Sequence, residues 1–183
     1  MMKSLIKLSF FALAITVSGC QTAGLGIDDV IRTNQPVEER YSAFGTTFEE
    51  LGTVSTTEFY ASDEAITVAV RNFQQENYGN AGKLFFHAVK LAPNDGNAWL
   101  GLAASSDRIG RFDLSDIAYR QAARLVGSRK DYHNNRGYSY LLRGDLKSAR
   151  ASLLRAYELD PTDITIKNNL ELLGSSVKNI ERR

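Results

Sequence analysis

The sequence predicts an all-α fold: a solenoid of helical hairpins, three repeats plus a C-terminal capping helix, preceded by a lipidated flexible tether. Three observations predict it. The segment "KLAPND" beginning at Lys90 returns as "ELDPTD" beginning at Glu158, 68 residues later, which is twice 34. Columns of small and of bulky apolar residues recur at the same 34-residue spacing between the two. A short apolar leader ends at the single cysteine, Cys20.

The 183 residues allow one modest folded body with appendages, and 43% hydrophobic content is ordinary for such a body. One cysteine excludes an intramolecular disulfide framework and a cysteine-only metal site. The formal charge is +1, but removal of Lys3 and Lys7 with the leader leaves 20 basic against 21 acidic residues, a net −1. No long run of one sign appears. The electrostatic footprint of phosphate neutralisation is therefore missing, and nucleic acid is not an expected partner.

The leader, residues 1–19, carries two lysines, a ten-residue stretch from Leu8 to Val17, then small residues. Ten helical residues rise about 15 Å, too short for the ~30 Å hydrocarbon core, so the pattern is that of a removable secretory signal. Its ending, "VSGC", resembles a bacterial lipobox, which implies a covalent lipid on Cys20 and no other cofactor. A buried CH₂ contributes about 0.8 kcal/mol and one acyl chain holds only reversibly. The two or three chains that the resemblance implies would anchor stably. By the same resemblance Gln21, standing where inner-membrane retention uses Asp, favours the periplasmic face of the outer membrane.

Residues 20–61 read as the tether. They mix Gly, Thr and Ser with scattered apolar residues and hold no sustained period, apart from a short helical turn expected around Glu38 to Leu51. A flexible coil of ~40 residues has an end-to-end distance of roughly 35 Å, enough to hold a folded body clear of a bilayer. Phe44, Phe48, Phe59 and Tyr60 either pack on the first repeat or meet a partner.

The repeat domain is expected over 62–183, with units 62–95, 96–129 and 130–163 and a cap at 164–183. Ala81, Ser115 and Ala149 fall in one column, followed by Phe85, Tyr119 and Leu153, then by Ala88, Ala122 and Ala156. Ala69, Ala103 and Gly137 form a small-residue column in the first half of each unit. Gly110 and Gly144 mark the turn between halves, and Pro93, Gly127 and Pro161 stop the second helix. Trp99 and Leu102 add bulk. Two helices approach closely only where small side chains face each other, so the columns describe antiparallel hairpins. This pattern resembles the tetratricopeptide repeat, whose period is 34 residues. A polar half-repeat at 164–183 is what such an array needs to close its last apolar face.

The repeat's geometry puts the first helix of each unit on a concave groove. Expected there are Asp63, Ile66, Val70 and Phe73 from the first unit, Asn97, Leu100, Ala104 and Arg108 from the second, and Asn134, Tyr138 and Leu141 from the third. Repeats that clamp a C-terminal carboxylate use Lys and Asn where Ile66 and Val70 stand here, so an amphipathic or extended segment suits this groove better. No small-molecule substrate is expected. His87 and His133 lie in different units without metal-ligand spacing; "GYSYL" at Gly137 lacks the closing Gly of a nucleophile elbow; "GLG" at Gly24 has no third glycine. Nothing prepares a nucleophile or an acid–base couple, and the chain reads as a non-enzyme.

Lipobox, tether and repeats, with "NNRGYSYLLRGDLKSARASLLRAYELDPTDITIKNNLELL" in the last unit and cap, resemble the TadD-type tetratricopeptide lipoproteins of Tad (Flp) pilus assembly systems. That resemblance implies protein partners, the outer-membrane secretin or other pilus-assembly components, met in the groove. A type IV pilotin, a scaffold for peptidoglycan enzymes and an enzyme of envelope metabolism are the alternatives.

Overall fold

Helix α1 (Ser62–Gln74) and helix α2 (Tyr78–Leu91) form the first hairpin in the computed structural model, which describes residues 60–182. The expected leader, Cys20 with its lipid, and the tether as far as residue 59 lie outside the described residues. Helices α3 (Gly96–Arg108) and α4 (Phe112–Val126) form the second hairpin, and α5 (Lys130–Leu142) and α6 (Leu146–Leu159) the third. Helix α7 (Ile164–Glu181) packs on α6 and α5 and closes the stack. There is no strand among the described residues.

Small residues set the closeness of the pairs. Ala65, Ala69, Ala81 and Ala88 are fully buried in the first hairpin, Ala103 and Ala122 in the second, Ala149 and Ala156 in the third. Gly137 takes its place among them because a Cβ there would sit 2.6 Å from Cγ of Leu153. The Trp99 indole donates to the carbonyl of Pro93 at 2.7 Å, which ties the stop of one unit to the start of the next.

Aspartates cap two of the helices that begin units, α3 and α7. Asp95 accepts from the Asn97 and Ala98 amides at 2.8 and 3.2 Å, and Asp163 from Thr165 and Ile166 at 2.9 and 3.4 Å. Lys130, at the start of α5, bridges Asp160 and Asp163 at 2.6 and 2.7 Å. Both carboxylates hold its pKa above the usual lysine range, and Lys130 in turn holds theirs below the usual carboxylate range.

The turn inside each hairpin has one geometry. Asn77, Arg111 and Asp145 donate their amides to the carbonyls of Asn72, Ser106 and Tyr140, five residues back in each case. Such a closure needs a left-handed residue. Gly110 (φ 76°) and Gly144 (φ 75°) supply it in the second and third hairpins, and Glu76 (φ 61°) supplies it in the first.

Candidate functional site: a groove along the first helices

Helices α1, α3 and α5 line a concave groove, and α7 continues it as if it opened a fourth unit. Its first chamber, about 350 Å³, is walled by Ile66, Val70 and Phe73 of α1 and Leu100 and Ala104 of α3, with Asn97 and Asp131 at the rim. Phe85 of α2 forms the floor, visible because Gly101 leaves it room: a Cβ at Gly101 would lie 2.3 Å from the Phe85 ring. The second chamber, about 220 Å³, opens between Phe73, Ala104 and Arg108 on one side and Asn134, Asn135 and Tyr138 on the other, with Thr165 and Asn169 of α7 beyond.

The groove grades from apolar to amide. In one 34-residue column Ile66 is followed by Leu100 and then Asn134; in the next, Gly101 is followed by Asn135 and Asn169. Several of the polar groups are held in place by one another. Asn169 donates to Oδ1 of Asn134 at 2.9 Å. Arg129 donates to Oδ1 of Asn97 at 2.9 Å and pairs with Asp131. The Arg108 guanidinium lies 4.2 Å from the centroid of the Tyr78 ring, and that ring meets Phe73 edge-on at 5.0 Å.

Of the expected groove residues, Ile66, Val70, Phe73, Asn97, Leu100 and Ala104 line the first chamber, and Arg108, Asn134 and Tyr138 the second. Two differ. Leu141 packs with Ala149, Leu153 and Leu173 in the core between α5, α6 and α7, which α7 completes by covering that side. Asp63 is exposed and lies in neither chamber. Among the lining residues that spacing alone missed are Asp131, Thr165, Asn135 and Asn169. The first two continue the Asp63 and Asn97 column, so strict extension of the period into α5 and α7 would have found them.

At the base of the second chamber lies a buried polar cluster. Asp107 is only 5% exposed, yet it carries a carboxylate. Its Oδ1 accepts from Ser115 at 2.6 Å and Ser139 at 2.9 Å, and its Oδ2 from Tyr119 at 3.1 Å. Burial pushes the Asp107 carboxyl above the usual range, against those three hydroxyls and Arg143. Beside it Asp116 accepts from Arg136 at 2.7 Å and Arg143 at 2.9 Å. Burial pushes Asp116 up as well, but the two guanidiniums outweigh it and leave the carboxyl below its usual value. Both carboxylates of the cluster are hydrogen-bonded, Arg143 Nε is buried without a partner, and the cluster joins α3 and α4 to α5. It shapes the groove and does not present a reactive group.

Among the described residues no group of three or more His, Cys, Asp or Glu side chains could hold a metal ion, and no helix is long and apolar enough to cross a membrane. The profile of the tetratricopeptide repeat family matches residues 130–163. No curated protein matches the chain. Among solved structures, the first tetratricopeptide domain of human RPAP3 is similar at 18% identity and a TM-score of 0.59, over 66% of this chain and 95% of that one. The type III secretion chaperone SycD of Yersinia enterocolitica, in complex with a peptide of the translocator YopD, is similar at 24% identity and a TM-score of 0.53, over 65% and 91%. The Sgt2 domain of Aspergillus fumigatus is similar at 17% identity and a TM-score of 0.58, over 67% and 82%. The fold is a tetratricopeptide-repeat solenoid.

Proposed function

We propose that the protein is a membrane-anchored assembly factor for Tad-type pilus biogenesis. Its groove receives a segment of a protein partner, the outer-membrane secretin in the first instance. The observation that carries the binding part is the continuous groove itself, apolar at Val70 and Leu100 and amide-lined at Asn134 and Asn169. Apolar side chains of an extended or amphipathic segment would fill the first chamber, and the amides would satisfy its polar groups in the second. A solved relative of the fold, SycD, is in complex with a translocator peptide, which supports reading the groove as a peptide site. The envelope part rests on the lipobox at Cys20 and the Tad resemblance. The protein acts by binding, without a resident cofactor beyond the lipid.

In-cell photo-crosslinking from Phe73, Leu100 and Tyr138, with mass spectrometry of the adducts, tests this. Adducts with a secretin or another pilus-assembly protein are expected. Adducts with peptidoglycan enzymes alone would replace the pilus role with a cell-wall scaffold, and no adducts from any of the three positions would remove the groove as the working surface.

A further inference from the structure

The first chamber is open to a segment that the same chain carries. Phe44, Phe48 and Leu51 are spaced i, i+4, i+7, with Gly45, Thr46, Thr47, Glu49 and Glu50 between them. That is the anchor spacing of segments that lay one apolar face into a groove. The chain that follows leads directly into α1, the helix that supplies Ile66, Val70 and Phe73 to the chamber. Tyr60, two residues before that helix, packs against the same apolar core. Its carbonyl lies 3.1 Å from Nε2 of His87; a carbonyl can only accept, so that nitrogen donates. Between Leu51 and Tyr60 lie residues 52–59. At about 3.5 Å each they reach roughly 30 Å, against about 20 Å for the whole of α1. The segment can therefore double back along α1 without strain.

Charge points the same way. The chamber walls are Ile66, Val70, Phe73, Phe85, Leu100 and Ala104, and the one carboxylate at its rim, Asp131, is neutralised by Arg129. Val70 is 42% exposed, an apolar wall facing water when the chamber is empty. An occupant with three apolar anchors fits such a wall.

We propose that residues 44–51 of the same chain occupy the apolar chamber until a partner displaces them, so that the tether is an intramolecular competitor for the groove. This rests on the groove reading above. If the segment closes the groove in about nine-tenths of molecules, an outside ligand binds about tenfold more weakly.

The probe is a fluorescein-labelled peptide of residues 41–55, added to the mature full-length chain. With Phe44→Ser, Phe48→Ser and Leu51→Ser combined, the chain should bind the peptide about tenfold more tightly than wild type does, and a further Val70→Glu should abolish that binding. Equal binding by both chains, binding by neither, or binding that survives Val70→Glu would overturn the proposal. A photoreactive phenylalanine analogue at position 48, in mixed isotopically light and heavy chains, identifies the occupant. Unmixed adducts to α1 or α3 support the same-chain contact. Mixed adducts would assign the chamber to a second copy's segment, and adducts to other proteins alone would assign it to a partner; either overturns the proposal. Failure of the groove reading looks different: partner adducts from Leu100 would then be absent while the 41–55 peptide still bound.

Discussion

The two inter-repeat junctions of this solenoid are built from opposite materials. Between the first and second hairpins, α2 meets α3 through Leu84, Phe85, Ala88, Ala98 and Leu102, and one apolar cluster runs without a break from α1 to α4. Between the second and third, α4 and α5 touch along far less of their length. The polar contact between these hairpins is made by Asp107 of α3, Ser115 and Asp116 of α4, and Arg136, Ser139 and Arg143 of the third hairpin, with Arg136 stacked 4.9 Å over Tyr119 and Arg143 4.7 Å over Phe112. Tyr132 adds one aromatic contact, edge-on to Tyr119 at 6.2 Å. A separate apolar cluster then begins beyond, around Ala149, Leu153 and Leu173. An apolar junction draws on area removed from water and tolerates small shifts. A buried polar junction holds only one arrangement of donors and acceptors, and it fails abruptly when one member is lost. The lesson is that equal spacing in sequence does not make equal interfaces.

The comparison can be broken from either side. Phe85→Ala should cost the most, about 4 kcal/mol, because a fully packed ring leaves a cavity against Gly101 and α1. Chemical denaturation should show the loss, and amide exchange should place it in α1 to α4 rather than in α6 and α7. Asp107→Ala should follow at about 3 kcal/mol, since three hydroxyls lose their buried acceptor. Its exchange signature should centre on α4 and α5. A loss spread evenly over all seven helices in both variants would mean that the two junctions unfold as one unit.

The pH dependence sharpens the contrast further. Asp107 is raised in the folded state, so the folded chain binds its proton more tightly than the unfolded chain does. Stability from this group therefore falls as pH rises from about 3.8 through the folded value. Asp116 is lowered, and its contribution is present above about pH 4 and lost as pH falls through its folded value. Urea midpoints measured from pH 4 to 7 for wild type and Asp107→Asn isolate the first group. The difference should move in favour of wild type as pH falls; a flat difference would contradict the raised carboxyl.

Most of the fold was legible because a period states the same contact several times. Ala69, Ala103 and Gly137, or Phe85, Tyr119 and Leu153, each predict one packing site in three copies, and the helical hairpins follow from them. The groove was legible for the same reason, down to Val70, Leu100 and Tyr138. What a period cannot convey is a column whose members change role. Phe73, Asp107 and Leu141 share one column: the first lines the groove, the second anchors a buried polar cluster and the third fills a core. The charged residue between two apolar ones was the available signal. Ser115 and Ser139 gave none, since a small hydroxyl reads equally well as a spacer between helices.

The turn column offers the smallest effect and a clean one, because it acts on the apolar half alone. Glu76 holds φ 61° where the later hairpins have glycine. A side chain in that region costs about 1–2 kcal/mol. The fold retains it because Asn77 still closes the turn onto Asn72, through both its amide and its side chain at 2.9 and 3.1 Å. Glycine would remove the strain but add about 0.5–1 kcal/mol of unfolded-chain entropy. The net for Glu76→Gly is stabilisation of about 0.5–1 kcal/mol, a rise of a few degrees in Tm. In a linear array that gain belongs to the first hairpin and its apolar neighbour. Amide exchange should therefore slow in α1 and α2 and stay unchanged in α5 and α6. Equal slowing throughout would show that the polar junction transmits stability as well as the apolar one.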